Sequence, residues 1–175
     1  MKSEDVLQIV TWLERAEIRV WLDGGWGVDA LLTQQTRSHS DLDLVVRLED
    51  ASQIEQTLAI YQFAIILNEL PTRFVMKDAK FRSVDFHTVQ HDSSGQLIQV
   101  LQDGTPFHYP QDSLAGQGMI DGNVISCITP EAQMLCHTGY KPQAKDIHDV
   151  RLLRQYFNLP LPEEYVGFPL AGDIN

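Results

Sequence analysis

Hydrophobic and polar positions alternate along the chain with two different periods. Near the start, Val6, Val10, Leu13 and Glu17 fall at helical spacing, and Leu7 and Ile9 widen the apolar stripe. Ser3 is placed to N-cap this helix, with Glu4 and Asp5 in its first turn, where acidic groups meet the positive end of the dipole. Residues 18–22 read as a short buried strand. Asp23-Gly24-Gly25 breaks it, residues 26–32 read as a short helix, and the polar stretch 33–40 reads as a loop. The β-branched run DLDLVV then opens a strand over 41–48. A helix starting at Asp50 or Ser52 carries Ile54, Leu58 and Tyr61.

The second half is richer in strands. Residues 63–67 form one candidate, and 73–77 with 81–89 form a hairpin across Asp78-Ala79. Residues 96–101 form another, and Asp121-Gly122 is a hairpin turn between 119–120 and 124–128. Thr129-Pro130 supplies an N-cap and a first-turn proline for a helix through Ala132, Leu135 and Cys136. A last helix spans 144–157, and the proline-rich tail after Asn158 reads as irregular. The order predicts an α+β fold with a mixed sheet flanked by helices. It divides into a core over 1–128 and a small helical C-terminal portion, 129–175, packed on it.

Within this framework the strand at 41–48 carries chemistry. Residues i and i+2 of a strand share a face, about 6–7 Å apart. Asp41 and Asp43 therefore lie on one side, and Leu42 and Leu44 on the other. Two carboxylates side by side repel each other unless a cation sits between them. In SVDFHTV, Asp85 and His87 likewise share a face opposite Val84 and Phe86. If the two strands are neighbours, Asp41, Asp43 and Asp85 converge on one patch. Such a patch suits two Mg²⁺ ions that clamp a triphosphate and activate a hydroxyl. Asp85 would then be a metal ligand or would accept the hydroxyl proton, and His87 could equally be a strand-face histidine with a local hydrogen bond. Gly24 and Gly25 would let backbone amides approach phosphate at a helix N-terminus. Arg37, in the loop before the strand, is placed to neutralise phosphate. Lys145 and Asp149 stand four apart on one helix face and read most simply as a surface ion pair.

Charge narrows the partners. With 13 Lys and Arg against 24 Asp and Glu, the formal charge is −11, a poor basis for nucleic-acid binding. No apolar run reaches the roughly 18 residues of a membrane span, and the amphipathic start is not a signal peptide. A cytoplasmic location follows as the expectation. Cys127 and Cys136 form no CxxC pair and read as reduced core thiols.

Taken together, WLDGGWGVDALL, TRSHSDLDL, VDFHTV and ISCITPEAQMLCHTGY resemble the DNA polymerase β-like nucleotidyltransferases. Within that superfamily they are most similar to the small antibiotic enzymes, especially those acting on lincosamides, and more distantly to aminoglycoside 2″-nucleotidyltransferases. The resemblance covers roughly 18–150. It implies transfer of a nucleoside monophosphate from ATP or another NTP to a hydroxyl of a small acceptor, with Mg²⁺ required and pyrophosphate leaving. It places the metal ligands on Asp41, Asp43 and Asp85, and the phosphate-binding turn on Gly24 and Gly25. It also sets Lys145 on a helix that helps hold the triphosphate. Many superfamily members carry Ser after the first glycine, where Gly25 and Trp26 stand in this chain. A homodimer is compatible with the resemblance, because small members often build the acceptor site across two subunits. Trp21, Glu69, Tyr109, His137 and Tyr140 are candidates to line an acceptor pocket, or structural residues. The competing readings are a non-catalytic, antitoxin-like member of the fold and an enzyme that nucleotidylates protein side chains.

Overall fold

The computed structural model describes residues 1–168. Helix α1 (Ser3–Arg15) buries Val6, Ile9, Val10 and Leu13, the stripe expected from their spacing. Its cap differs from expectation. Ser3 lies inside the first turn, and the Asp5 carboxylate accepts the Lys2 amide at 3.1 Å. Glu17 falls outside the helix at φ 61°, because the chain reverses there so that Ile18 can enter the core.

The core strands follow. β1 (Val20–Asp23) runs straight into α2 (Gly24–Leu32), and β2 (Leu42–Arg47) begins one residue after Asp41. The glycine pair thus forms the first turn of α2 rather than a loop before it, since the Asp23 side chain caps the helix by accepting the Gly24 amide at 2.6 Å. α3 (Ala51–Ala59) leads to β3 (Ala64–Glu69), β4 (Arg73–Lys77) and β5 (Ser83–His91). β5 starts at Ser83 rather than at 81, because Phe81 takes a positive φ of 65° in the turn closed by Asp78.

β6 (Leu97–Val100) pairs with the end of β5, and β7 (Pro106–His108) pairs with β6. β7 was not expected: it is three residues long and begins with proline. β8 (Gly116–Ile120) and β9 (Asn123–Cys127) form the hairpin at Asp121-Gly122. α4 (Pro130–Cys136) starts at the Thr129 cap, and α5 (Ala144–Phe157) has the expected bounds. A short 3₁₀ turn at Glu163–Tyr165 tucks Tyr165 inside, so this part of the tail is ordered by packing. The remainder of the tail, 169–175, lies outside the described residues.

Among the described residues the strands form one mixed sheet in the order β3-β4-β5-β2-β1-β9-β8. β2 runs parallel to β5, and β1 parallel to β9. One face of the sheet carries Leu22, Leu42, Leu44, Val84 and Phe86, all inaccessible, against α1 and α3. Truncating any of these leucines to alanine would cost about 2–5 kcal/mol. That cost fixes the register, since a one-residue slip would send every aspartate of these strands into the core. α2 packs on this face through Trp26 and Ala30, and α4, α5 and Tyr165 pack on α2 in turn through Val28, Leu32, Met134, Val150 and Leu153. No helix among the described residues is long and apolar enough to cross a membrane.

Candidate active site

The register aligns three carboxylates across three adjacent strands. Asp23 of β1 is opposite Asp43 of β2, and Asp43 is opposite Asp85 of β5. Lateral neighbours share a face, so all three point away from the leucine core. Asp43, Asp85 and His87 each offer a ligand atom, and these atoms lie within 4.8 Å of one another. Asp41, just before β2, stands outside this compact group, lines the adjoining cavity and accepts the Ser40 hydroxyl at 2.9 Å. Asp23 was read from sequence only as a strand breaker. A lateral neighbour is visible only once strand pairing is known.

Counter-charges hold the cluster together. His87 Nε2 is 3.8 Å from Asp43 Oδ1. Burial alone would lower the histidine pKa, but the adjacent Asp43 carboxylate and the charges of Asp23 and Asp85 outweigh it and raise it to about 9. His87 is therefore cationic at neutral pH. Asp85 Oδ2 accepts Arg73 Nη1 at 2.5 Å, and Arg73 Nε donates to Glu69 at 2.8 Å. Burial raises the Asp85 pKa, against the lowering by His87 and Arg73. Its Oδ1 is buried without a hydrogen-bond partner. An orphan carboxylate oxygen is costly unless something else occupies its lone pairs.

The glycine pair makes room for this cluster. Gly24 has φ +56°, and a Cβ there would stand 2.3 Å from Asp43 Oδ2. A Cβ on Gly25 would stand 2.3 Å from Arg37 Nη2 and 2.4 Å from His39 Nδ1. Both residues thus bring side chains from the 37–43 segment against the first turn of α2. His39 was not singled out from sequence. It is buried, its Nε2 lies 2.5 Å from Asp29 Oδ2, and its ring is 4.6 Å from that of Trp26.

Arg37 does not stand free in its loop. Its Nε donates to Asp149 Oδ1 at 2.9 Å and its Nη2 to Asp149 Oδ2 at 2.5 Å. This corrects the expected Lys145–Asp149 pair. Asp149 is buried on the inner face of α5, where Arg37 reaches it, while Lys145 remains exposed at the cavity wall. Burial works against the Asp149 anion, but the hydrogen bonds from Arg37 and the nearby His137 ring overcome it and hold its pKa below the usual carboxylate range.

All of this faces a cavity of roughly 1190 Å³. Single-ligand pockets run about 300–1,000 Å³, so the space suits two ligands together. Gly24, Gly25, Arg37, Asp41, Asp43 and Lys145 line it, and Asp85 stands beside the lining next to Asp43. The lining also includes Gln99, Leu101, Phe107, Tyr109 and Tyr140. Of the acceptor-pocket candidates, Tyr109, His137 and Tyr140 line the cavity. Trp21 is buried in a separate cluster with Val45 and Ile128, and Glu69 pairs with Arg73.

The aminoglycoside-2″-adenylyltransferase family matches residues 5–153. The chain belongs to that family. It is 28% identical over 152 residues to a lincosamide resistance protein of Staphylococcus haemolyticus, a match spanning 87% of this chain and 94% of that protein. Among solved structures, the lincomycin-bound lincosamide antibiotic adenylyltransferase LnuA is similar with a TM-score of 0.77 and 27% identity, over 88% of this chain and 97% of that one. ANT(2″)-Ia in complex with adenylyl-2″-tobramycin is similar in fold, with a TM-score of 0.71 and 20% identity over 89% and 88% of the two chains. The α+β nucleotidyltransferase fold and the mixed sheet expected from sequence are borne out. The family member is an adenylyltransferase that uses ATP as its nucleotide donor.

Proposed function

We propose that this chain transfers AMP from ATP to a hydroxyl of a lincosamide-like antibiotic in an Mg²⁺-dependent reaction. The carrying observation is the aligned carboxylate row opening onto one cavity large enough for donor and acceptor. Asp43 and Asp85 would hold the metal, with Asp41 at the rim available to a second ion. Hard carboxylate oxygens are the ligands that Mg²⁺ prefers, and the orphaned Asp85 Oδ1 fits that role. When bound, the metal would neutralise the triphosphate and polarise the α-phosphate.

The chain's own groups supply the rest. Amides at the start of α2, Arg37 and Lys145 receive the donor's phosphates. His87 offsets part of the carboxylate charge before the nucleotide arrives. With Asp85 Oδ2 held by Arg73, its Oδ1 serves one of two roles: it is a metal ligand, or it takes the acceptor's hydroxyl proton as the oxygen attacks the α-phosphate and pyrophosphate leaves.

The apolar and aromatic part of the lining favours the lincosamide class. Leu101, Phe107, Tyr109 and Tyr140 offer apolar and aromatic surface, and Gln99 is neutral. The test is to incubate the protein with ATP, Mg²⁺ and matched panels of lincosamides and aminoglycosides, reading adenylylated product by mass. Product with lincomycin, lost in Asp43→Asn, supports the reading; failure of every acceptor in both panels refutes it. A purely non-catalytic role is disfavoured by the intact carboxylate set.

A further inference from the structure

Arg37 occupies an electrostatically awkward place. Its Nη2 is 2.3 Å from where a Cβ on Gly25 would stand, so the guanidinium is packed against the first turn of α2. That end of a helix is electropositive and repels a cation. The Arg37 side chain is 22% accessible, and without restraint it would turn toward solvent. The restraint comes from Asp149, 112 residues away and 2% accessible at its side chain. Two bonds from one edge of the guanidinium fix its plane as well as its position.

Asp149 is anchored in turn. His137 Nε2 stands 3.7 Å from Asp149 Oδ2, and His137 Nδ1 donates to the Gln133 carbonyl at 2.7 Å. The His137 carbonyl accepts the Tyr165 hydroxyl at 2.7 Å. A cation held against a helix N-terminus is pre-arranged for a polyanion, because the ordering is complete before the ligand arrives. We propose that Asp149 is a positioning residue for the nucleotide donor, holding Arg37 in the orientation that receives the donor's phosphates. This rests on the reading of the cavity as the ATP site.

The test combines calorimetric MgATP affinity with KM values for ATP and lincomycin in Asp149→Asn, Arg37→Gln and the double variant. Asp149→Asn weakens MgATP binding and raises the ATP KM about tenfold, the scale of one charge-assisted hydrogen bond. The lincomycin KM stays within about twofold, and the double variant binds ATP no more weakly than Arg37→Gln. Additive losses, or a less stable Asp149→Asn enzyme with an unchanged ATP KM, overturn the proposal. Arg37→Lys decides the matter even if Asp149→Asn does not fold. Lysine keeps the charge but not the two-pronged geometry, so MgATP binds about tenfold more weakly if orientation matters. Unchanged affinity overturns the proposal. A wild-type protein that binds MgATP but adenylylates no antibiotic separates the two ideas, since the affinity readout needs no acceptor. A wild-type protein that binds no MgATP overturns the site reading itself.

Discussion

Gly24→Ala isolates the link between backbone geometry and chemistry. The residue sits at φ +56°, a left-handed conformation that costs a residue with a Cβ about 1–2 kcal/mol. For a chain of this size each kcal/mol shifts the melting temperature by about 2–4 °C, so a fall of roughly 2–8 °C is expected from strain alone. The new methyl meets more than strain. It would lie 2.3 Å from Asp43 Oδ2 and 2.9 Å from Asp43 Cγ, where ordinary contact begins near 3.4 Å. The carboxylate must retreat by about 1 Å, a displacement that costs on the order of 100-fold in a reaction that depends on placement.

Gly122→Ala is the matched control. Gly122 has φ +77° in the β8–β9 turn, and nothing lies within 4 Å of its added Cβ. It should lose a similar amount of stability and no activity. The assay is the initial rate of pyrophosphate release at saturating ATP, Mg²⁺ and lincomycin, alongside thermal melts. Gly24→Ala should fall about 100-fold in kcat while remaining folded at assay temperature. If it turns over within about threefold of wild type, the close approach of Gly24 to Asp43 is not what aims the carboxylate, and the reasoning fails.

Other outcomes follow from the same geometry. Asp43→Asn and Asp85→Asn should each lose at least about 100-fold in kcat, with melting temperatures within about 4 °C of wild type; a folded variant at full rate would remove that residue from the site. Chelation by EDTA should abolish turnover and leave far-ultraviolet circular dichroism unchanged, and residual turnover in chelator would count against the metal. Asp78 is held below its ordinary pKa because hydrogen bonds from Arg82 and Lys80 outweigh its burial. The stability it adds is complete above about pH 4 and is lost as pH falls through the lowered value. The melting-temperature gap between wild type and Asp78→Asn should therefore narrow on acidification, and a pH-independent gap would contradict this. Burial pushes the Cys127 thiol up to about 12 and raises that of Cys136 as well. Cys127, fully buried, should not react with a thiol reagent at pH 8 until the protein is denatured, whereas half-buried Cys136 lines the cavity; rapid labelling of Cys127 in the native protein would contradict this.

The parts of the site that could be read from sequence are those set by local period. Asp43 and Asp85 point away from the core because Leu44 and Phe86 point into it, and strand alternation alone requires that. What joins the two aspartates is the parallel pairing of β2 with β5, a contact between segments some forty residues apart that no local pattern encodes. Asp23 was missed for the same reason: its neighbour Gly24 marks a break in the chain, while its lateral partner Asp43 marks a site. The Lys145–Asp149 expectation went wrong at the same boundary. Helical spacing makes those two residues neighbours, but α5 turns Asp149 inward, and a buried carboxylate must be matched by a buried partner. Arg37 meets that demand from the other end of the chain. A local ion-pair rule ranks partners by sequence distance, whereas desolvation ranks them by which cation can follow the carboxylate into the interior. In this fold the second ranking prevails, and it carries Arg37 to the N-terminus of α2, where phosphate is expected.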